Sequence, residues 1–382
     1  MNKKELKYLE LSDIHLGHAR NTAPEIINNL TAYFHDFKKD SPFVELDYIF
    51  IAGDLFDKLL DLSDPDTYAI LDWLNRLAYF CSRHDIALRV LEGTPSHDWK
   101  QSYLVKALAG IVNTPLDFKY IDTLFIEHHE RHDLWILYIP DEWTDNAQTT
   151  YEQVLQLLKD NNISQVDIGM FHGYFTYQCK IGMQTTQAHD PEAYLSLVKH
   201  FINIGHIHTF TTYKRIIASG SFDRLSHGEE EPKGAVLCTI RDNNDDEFLF
   251  IENKTAKIFK TITLKSNDID QCYLQIDKIL AKIPHNSYIR IKAKKNHPIY
   301  SAFEEFKLRY VMYYFSKKSE EEEDEDKYLL VTDVLQSDVA YTPITLTPQN
   351  IVLSLMTEIR AKHQLSVQQD QLLTSILESN NA

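Results

Sequence analysis

Asp13 and His15 follow the first apolar run of the chain, in Leu11-Ser-Asp-Ile-His-Leu-Gly17. Asp54 follows a second such run, in Ile51-Ala-Gly-Asp-Leu-Phe-Asp57. His97 and Asp98 follow a third, in Glu92-Gly-Thr-Pro-Ser-His-Asp98. His172 closes a fourth, in Gly169-Met-Phe-His-Gly173, and His206 and His208 follow a fifth, in Ile204-Gly-His-Ile-His208. Residues i and i+2 of extended chain project to the same side, so Asp13 with His15 and His206 with His208 form two side-chain pairs. An isolated histidine of this kind is ordinarily a hydrogen-bonded core residue. Here every strand end carries an aspartate or a histidine, with glycines beside most of them. Mixed imidazole and carboxylate donors suit Mn, Fe or Zn, whereas calcium takes an all-oxygen set. There are enough donors for two ions. Two ions ~3.5–4 Å apart are a recurrent means of hydrolysing phosphate esters.

Such a site needs elements that end at one edge. The apolar runs Lys7–Ser12, Tyr48–Ala52, Leu88–Leu91, Leu134–Ile139, Val166–Phe171 and Phe201–Ile204 read as buried strands. Apolar faces at helical spacing lie over Ile26–Phe37 and Thr67–Cys81. This alternation predicts a layered α/β domain, and open α/β sheets place ligands at the carboxyl ends of their strands. Beyond Gly205 the pattern turns to strands, at Tyr213–Ala218, Ala235–Ile240 and Phe248–Ile251, with a turn at Asn243–Asp246. The first domain is therefore placed at residues 1–255.

From Ile258 the pattern becomes that of a smaller α+β unit, residues 256–340. Its expected strands are Thr261–Leu264, Tyr288–Ile291 and Val311–Phe315, and its helices Ile269–Ile283 and Ala302–Tyr310. An acidic insert, residues 319–327, carries seven consecutive acids from Glu320 to Asp326 and reads as a solvated loop. Residues 341–382 predict a helix pair. Thr347 and Pro348 start the first helix, and a second follows Ser366.

The composition of the 382 residues bounds the function. A net charge of −17 argues against a protein that coats nucleic acid through general basicity, even allowing for the acidic insert. The four cysteines stand apart, with no paired spacing for a zinc site, and fit a reducing cytoplasm. No apolar stretch is long enough to span a membrane, and the charged start is unlike a signal peptide.

The order Asp-x-His, Gly-Asp, a variant of Gly-Asn-His-Asp, His, then Gly-His-x-His resembles the calcineurin-like metallophosphoesterases. Ser12–Gly17, Gly53–Asp57 and Gly220-Ser-Phe-Asp-Arg-Leu-Ser-His-Gly-Glu229 extend the resemblance to the SbcD type of DNA-repair nuclease subunit. The resemblance implies an α-β-β-α sandwich, a DNA-capping α+β domain, and C-terminal helices that bind an SbcC-type coiled-coil ATPase. It also implies a homodimer and two divalent ions, Mn²⁺ by expectation.

Position by position, Asp13, His15 and His208 would hold one ion. Asp54 would bridge both, and His172 and His206 would hold the second. His97 would act as general acid, and Asp98 would either orient it or cap the following helix. The family has an asparagine ligand directly before that histidine. Here Ser96 stands there, after an apparent two-residue lengthening at Thr94-Pro95: either it ligates, or water fills the place, or the loop is re-routed. Asp57 stands where some relatives carry a histidine. His18 and Arg20 would touch the DNA backbone, helped by Lys254, Lys257, Lys260, Lys265, Arg290, Lys292, Lys294 and Lys295. A metallophosphoesterase acting on a small phosphodiester or a phosphoprotein is the alternative.

Overall fold

The computed structural model describes residues 5–61, 63–111, 114–179, 185–241 and 245–321. Among them, the strands before residue 255 are β1 (Glu5–Leu11), β2 (Tyr48–Ala52), β3 (Ala87–Leu91), β4 (Phe118–Ile121), β5 (Phe125–His129), β6 (Leu134–Ile139), β7 (Ile168–His172), β8 (Ile202–Gly205), β9 (Thr211–Tyr213), β10 (Ile216–Ala218), β11 (Gly234–Arg241) and β12 (Glu247–Glu252). They form two six-stranded mixed sheets, in the orders β12-β11-β1-β2-β3-β4 and β5-β6-β7-β8-β10-β9. β1, β2 and β3 are mutually parallel, as are β6, β7 and β8. Their carboxyl ends therefore emerge together within each sheet.

Three apolar cores account for the layering. The first lies between one sheet and the helices Ala23–Tyr33 and Pro65–His84, with Leu30, Phe34, Trp73, Ile49 and Val90 buried. The second lies between the sheets and joins Tyr8, Tyr48 and Phe50 to Ile136, Tyr138 and Met170. The third packs Val154 and Leu158 of the helix Ala147–Asp160, and Leu195 of the helix Pro191–Leu197, onto Leu137, Phe171 and Ile204. Alternate residues of β2 face opposite cores, which explains why the strand reads as a continuous apolar run.

A buried charged contact also joins the sheets. Arg89 of β3 donates to both carboxylate oxygens of Glu127 of β5, with Nη2 at 2.9 Å from Oε1 and Nε at 2.9 Å from Oε2. Tyr138 Oη donates to the same carboxylate at 2.9 Å, and Lys119 Nζ lies 2.9 Å away.

Several elements differ from the sequence expectation. The helix expected through Phe37 ends at Tyr33, and His35, Asp36 and Phe37 have positive φ. That turn stacks Phe37 on Phe34 and sets it against Phe80. The run 213–218 is a tight hairpin, β9 to β10, reversing at Lys214 with φ 52°. The strand expected from Val166 begins at Ile168. Val166 makes an isolated bridge to Val198 instead.

The smaller unit has β13 (Phe259–Thr263), β14 (Tyr288–Ala293) and β15 (Tyr314–Ser319), all parallel, with the helix Ile269–Leu280 crossing between the first two. The last strand starts three residues later than expected, because Tyr313 turns back to donate to Leu280 O and Ile283 O. Ile276, Ile289, Ile291 and Phe306 form a core of its own. The acidic insert beyond Glu321, the helix pair of residues 341–382 and Asn243 and Asn244 of the expected turn lie outside the described residues. Among the described residues, no helix is long and apolar enough to cross a membrane.

The Arg89–Glu127 contact yields a stability prediction. Glu127→Ala removes the bidentate partner of a buried guanidinium and leaves it Asp117 Oδ1 at 2.9 Å, so it is expected to cost about 3 kcal/mol in urea unfolding, the low end for a broken buried pair. The double variant Arg89→Met/Glu127→Leu should lose clearly less. A single variant within 1 kcal/mol of wild type would show that the pair does not hold the sheets together.

Candidate metal centre

The two sheets meet at the carboxyl ends of their parallel strands. Asp13 and His15 follow β1, Asp54 follows β2, and His97 lies in the turn Pro95–Asp98 after β3. From the second sheet, His172 ends β7, and His206 and His208 follow β8. The seam is closed by hydrogen bonds, because the His206 backbone N–H donates to both oxygens of Asp13 at 3.0 Å. All seven predicted residues of this set therefore converge. Three overlapping groups have donor atoms close enough for one ion each: Asp13, His15 and His208; His15, Asp54 and His97; and Asp54, His172 and His206.

The local backbone is unusual in a way the sequence explains. Asp13, His15, Asp54 and His206 all have positive φ, of 49°, 52°, 50° and 91°. Left-handed conformations cost energy in residues other than glycine and gather at functional sites. The neighbouring glycines serve close approach. A Cβ on Gly53 would stand 2.1 Å from His172 Nδ1, and one on Gly205 would stand 2.2 Å from Ala52 O.

The ring nitrogens divide their work. His172 Nδ1 is 2.7 Å from Ala52 O, and its buried Nε2 has no hydrogen-bond partner. His15 Nδ1 is 3.0 Å from Asp57 Oδ1, and its buried Nε2 is likewise unpaired. His208 Nδ1 is 3.2 Å from Glu229 Oε1, and its Nε2 lies 3.8 Å from Asp13 Oδ1. One nitrogen fixed by an oxygen and the other aimed inward is how metal-binding imidazoles are held. An unpaired buried polar nitrogen is costly, and a cation would relieve it. The donor set therefore fits divalent metal.

Asp54 is the hub. Its Oδ2 is 3.0 Å from His97 Nδ1 and 3.6 Å from His15 Nε2, and its Oδ1 is 3.4 Å from His172 Nε2. Burial opposes its charge, but His172 and His97 hold its carboxyl well below the usual range. The same contacts act on the bases. Burial pulls His97 down, yet Asp54 lifts it to about 9. Asp54 lifts His172 well above the ordinary value, and Glu229 raises His208, both against burial. Burial lowers His206.

Three expectations change. Ser96 is exposed on the Pro95–Asp98 turn and is not the residue on Asp54. Thr94 takes that contact, with its backbone N–H 2.6 Å from Oδ1 and its hydroxyl 3.2 Å from Oδ2. Thr94 precedes the turn and Pro95 opens it, and together they carry Ser96 outward. Asp98 neither orients His97 nor caps a following helix. Its buried carboxylate accepts the N–H groups of Asp54, Phe56 and Gly93, pinning two ligand loops together. His18 is not a cation. Burial pushes it down to about 4, and its Nδ1 accepts the N–H groups of Arg20 and Asn21. Arg20 is exposed beside it. Arg224 ties the 224–231 loop to Ala256 and Lys257, a structural role.

Of the basic residues, Lys257 is buried against Glu25 and the Tyr288 ring, and Lys260 pairs with Glu230. Lys254, Lys265, Lys294 and Lys295 are exposed. Sequence reasoning missed the roles of Asp57 and Glu229 as imidazole partners. It also missed the cleft beside His206, lined by Asp141, Trp143, Tyr174, Gln187 and His189 among others.

No protein-family model matches the sequence, and a search of curated proteins finds no match. Among solved structures, the chain is similar to GAP50, described as the anchor in the inner membrane complex of Plasmodium. The identity is 17% and the TM-score 0.42, over 67% of this chain and 87% of that one. A second structure matches at 10% identity and a TM-score of 0.36, over 65% of this chain and 100% of that one. Likeness of this degree carries no functional conclusion.

Two outcomes are expected of the centre. Asp57→Asn weakens the hold on His15, so Mn²⁺ affinity measured by calorimetry should fall about 10–100-fold. An unchanged affinity would remove Asp57 from the site. Against burial, Asp54 raises His172 and Glu229 raises His208, so both rings favour the protonated form more than a free imidazole does. Ligation requires the neutral ring, so Mn²⁺ binding should release protons and strengthen as pH rises above 7. Calorimetry in buffers of different ionisation enthalpy reads this directly, and identical heats in all buffers would contradict it.

Proposed function

We propose that the chain is a two-metal phosphodiesterase, and within that class a DNA nuclease subunit of the SbcD type. The observation that carries the reading is that Asp54 is shared by two donor groups, one with His15 and His97 and the other with His172 and His206. Asp13, His15 and His208 would hold one divalent ion, His172 and His206 the other, with Asp54 between them. Mn²⁺ is the preferred ion in this reading. When bound, such ions polarise the phosphate and supply hydroxide near neutral pH.

The chain's own residues do the rest. His97 keeps a proton at neutral pH in the metal-free protein and stands partly open to solvent, so it can protonate the leaving sugar oxygen. Asp98 holds the Asp54 and Gly93 loops in register, and Thr94 fixes the Asp54 carboxylate. The three-stranded unit would be the DNA cap, presenting Lys254, Lys265, Lys294 and Lys295, with Arg20 near the centre. Local basic groups can bind phosphates despite an acidic whole. The partners in this reading are DNA, a coiled-coil ATPase of the SbcC type and a second copy of the chain, in the cytoplasm. One observation favours a second reading, a small phosphodiester substrate: the cleft beside His206 carries Asp141 and Glu142, an acidic wall ill-suited to a polyanion.

The test is Mn²⁺-dependent cleavage of circular single-stranded and linear double-stranded DNA, run beside a chromogenic aryl phosphodiester. DNA cleavage lost in His15→Ala is the expected result. His97→Ala should keep its ions and lose about 10²–10⁴ in kcat. Turnover of the aryl ester alone would replace DNA with a small substrate. Full activity in Asp54→Ala would end the two-metal reading.

A further inference from the structure

His15 belongs to two donor groups, one with Asp13 and His208 and the other with Asp54 and His97. The proposed reaction uses the first for an ion and keeps His97 as a proton donor, so the second group has no ion of its own. Its geometry is nonetheless that of a ligand set. Asp54 Oδ2 lies 3.0 Å from His97 Nδ1 and 3.6 Å from His15 Nε2. The two rings meet edge to face, with centroids 4.9 Å apart. The His15 side chain is only 3% exposed, and its Nε2, on the Asp54 side, has no hydrogen-bond partner. Its Nδ1 is engaged by Asp57, so His15 offers one nitrogen to one ion. The His97 side chain is 22% exposed, which leaves one side of the group open to water.

We propose that His15, Asp54 and His97 form a zinc position, alternative to that of Asp13, His15 and His208, and that zinc bound there withdraws His97 from proton transfer. The inference rests on the two-metal reading proposed above. Zinc is tetrahedral, and in open sites it takes three protein ligands and one water, with two imidazoles and a carboxylate a recurrent set. Donors ~2.0–2.1 Å from a tetrahedral ion stand about 3.3 Å apart. The separations of 3.0 and 3.6 Å about Asp54 Oδ2 straddle that edge. The other position is looser and richer in oxygen. His208 Nε2 lies 3.8 Å from Asp13 Oδ1, and the two-metal reading adds the Asp54 carboxylate there. Two carboxylates with two imidazoles suit Mn²⁺, the harder ion. Because His15 has one nitrogen to give, the two positions cannot be filled together. Ligation requires the neutral ring, so His97 bound through Nδ1 is no longer the protonated acid that the leaving oxygen needs.

The test is calorimetric titration of wild type, His97→Ala and His208→Ala with Zn²⁺ and, separately, with Mn²⁺. Wild type should bind two ions of either metal. His97→Ala should bind one of its two zinc ions at least about 10-fold more weakly, the loss of one ligand, and keep its affinity for Mn²⁺. His208→Ala should do the reverse, losing Mn²⁺ affinity and keeping zinc. Zinc bound with wild-type affinity by a folded His97→Ala overturns the inference alone. Should the variants not fold, anomalous diffraction from wild-type crystals soaked in one metal or the other decides the matter: zinc bonded to His97 Nδ1 supports the inference, and zinc seated on Asp13 and His208 overturns it. Fewer than two Mn²⁺ ions in wild type overturns the two-metal reading and the inference with it.

Discussion

The buried carboxylate of Asp54 is the constraint around which the rest of the molecule is arranged. It has only 2% of its side chain exposed and sits among three imidazoles, so its charge needs compensation from every side. Protons on the histidines supply that compensation when no ion is bound, which is why His97 and His172 are raised despite burial. Divalent ions are the alternative compensation, and the two states exclude each other at each ring. Metal and proton therefore compete for the same electrostatic vacancy. This follows from burial and geometry alone, whatever substrate the centre takes.

Holding Asp54 there requires two sheets. Its own strand lies in one, while His172 and His206 arrive from the other. The seam is secured near the centre by the His206 N–H on Asp13 and the His172 ring on Ala52 O, and elsewhere by Arg89 on Glu127. Asp98 adds a third fastening, because one carboxylate accepts backbone donors from both the Asp54 and the Gly93 loops. These polar ties fix the spacing of the two apolar layers. Close-packed side chains alone would tolerate small slides, and a sub-ångström slide would spoil a shared ligand.

The strand ends were legible because aspartate, histidine and glycine clustered after short apolar runs. The i, i+2 argument from extended chain did not carry over, because Asp13, His15 and His206 stand at positive φ beyond the strand ends, and His206 and His208 fall in different donor groups. What escaped was whatever depended on loop path. Ser96 matched a motif by position, yet Pro95 inside the lengthened loop starts a helical turn and swings it out. His18 read as a cation because sequence carries no burial. Asp57 and Glu229 act across 42 and 21 residues, distances at which only the folded chain brings partners together. In the smaller unit, the expected strands were right in number; β14 starts at Tyr288 as expected, while β13 starts two residues earlier and β15 three later, where propensity is flat and pairing decides the register.

The loop from Arg224 to Lys233 gives the smaller unit a mechanical link to the centre. Glu229 holds His208 Nδ1, and the adjacent Glu230 pairs with Lys260 and accepts the Thr261 N–H of β13. Lys233, almost fully buried, donates to the carbonyl of His208 and lies 3.1 Å from Glu229. Arg224 anchors the start of the loop to Ala256 and Lys257. The carboxylate that orients a metal-binding imidazole and the one that seats β13 are thus consecutive residues of one short segment. A displacement of β13 relative to β1 must pass through that segment and be felt at His208. The position of the smaller unit and the geometry of the centre are therefore not independent variables, and any partner that shifts one acts on the other.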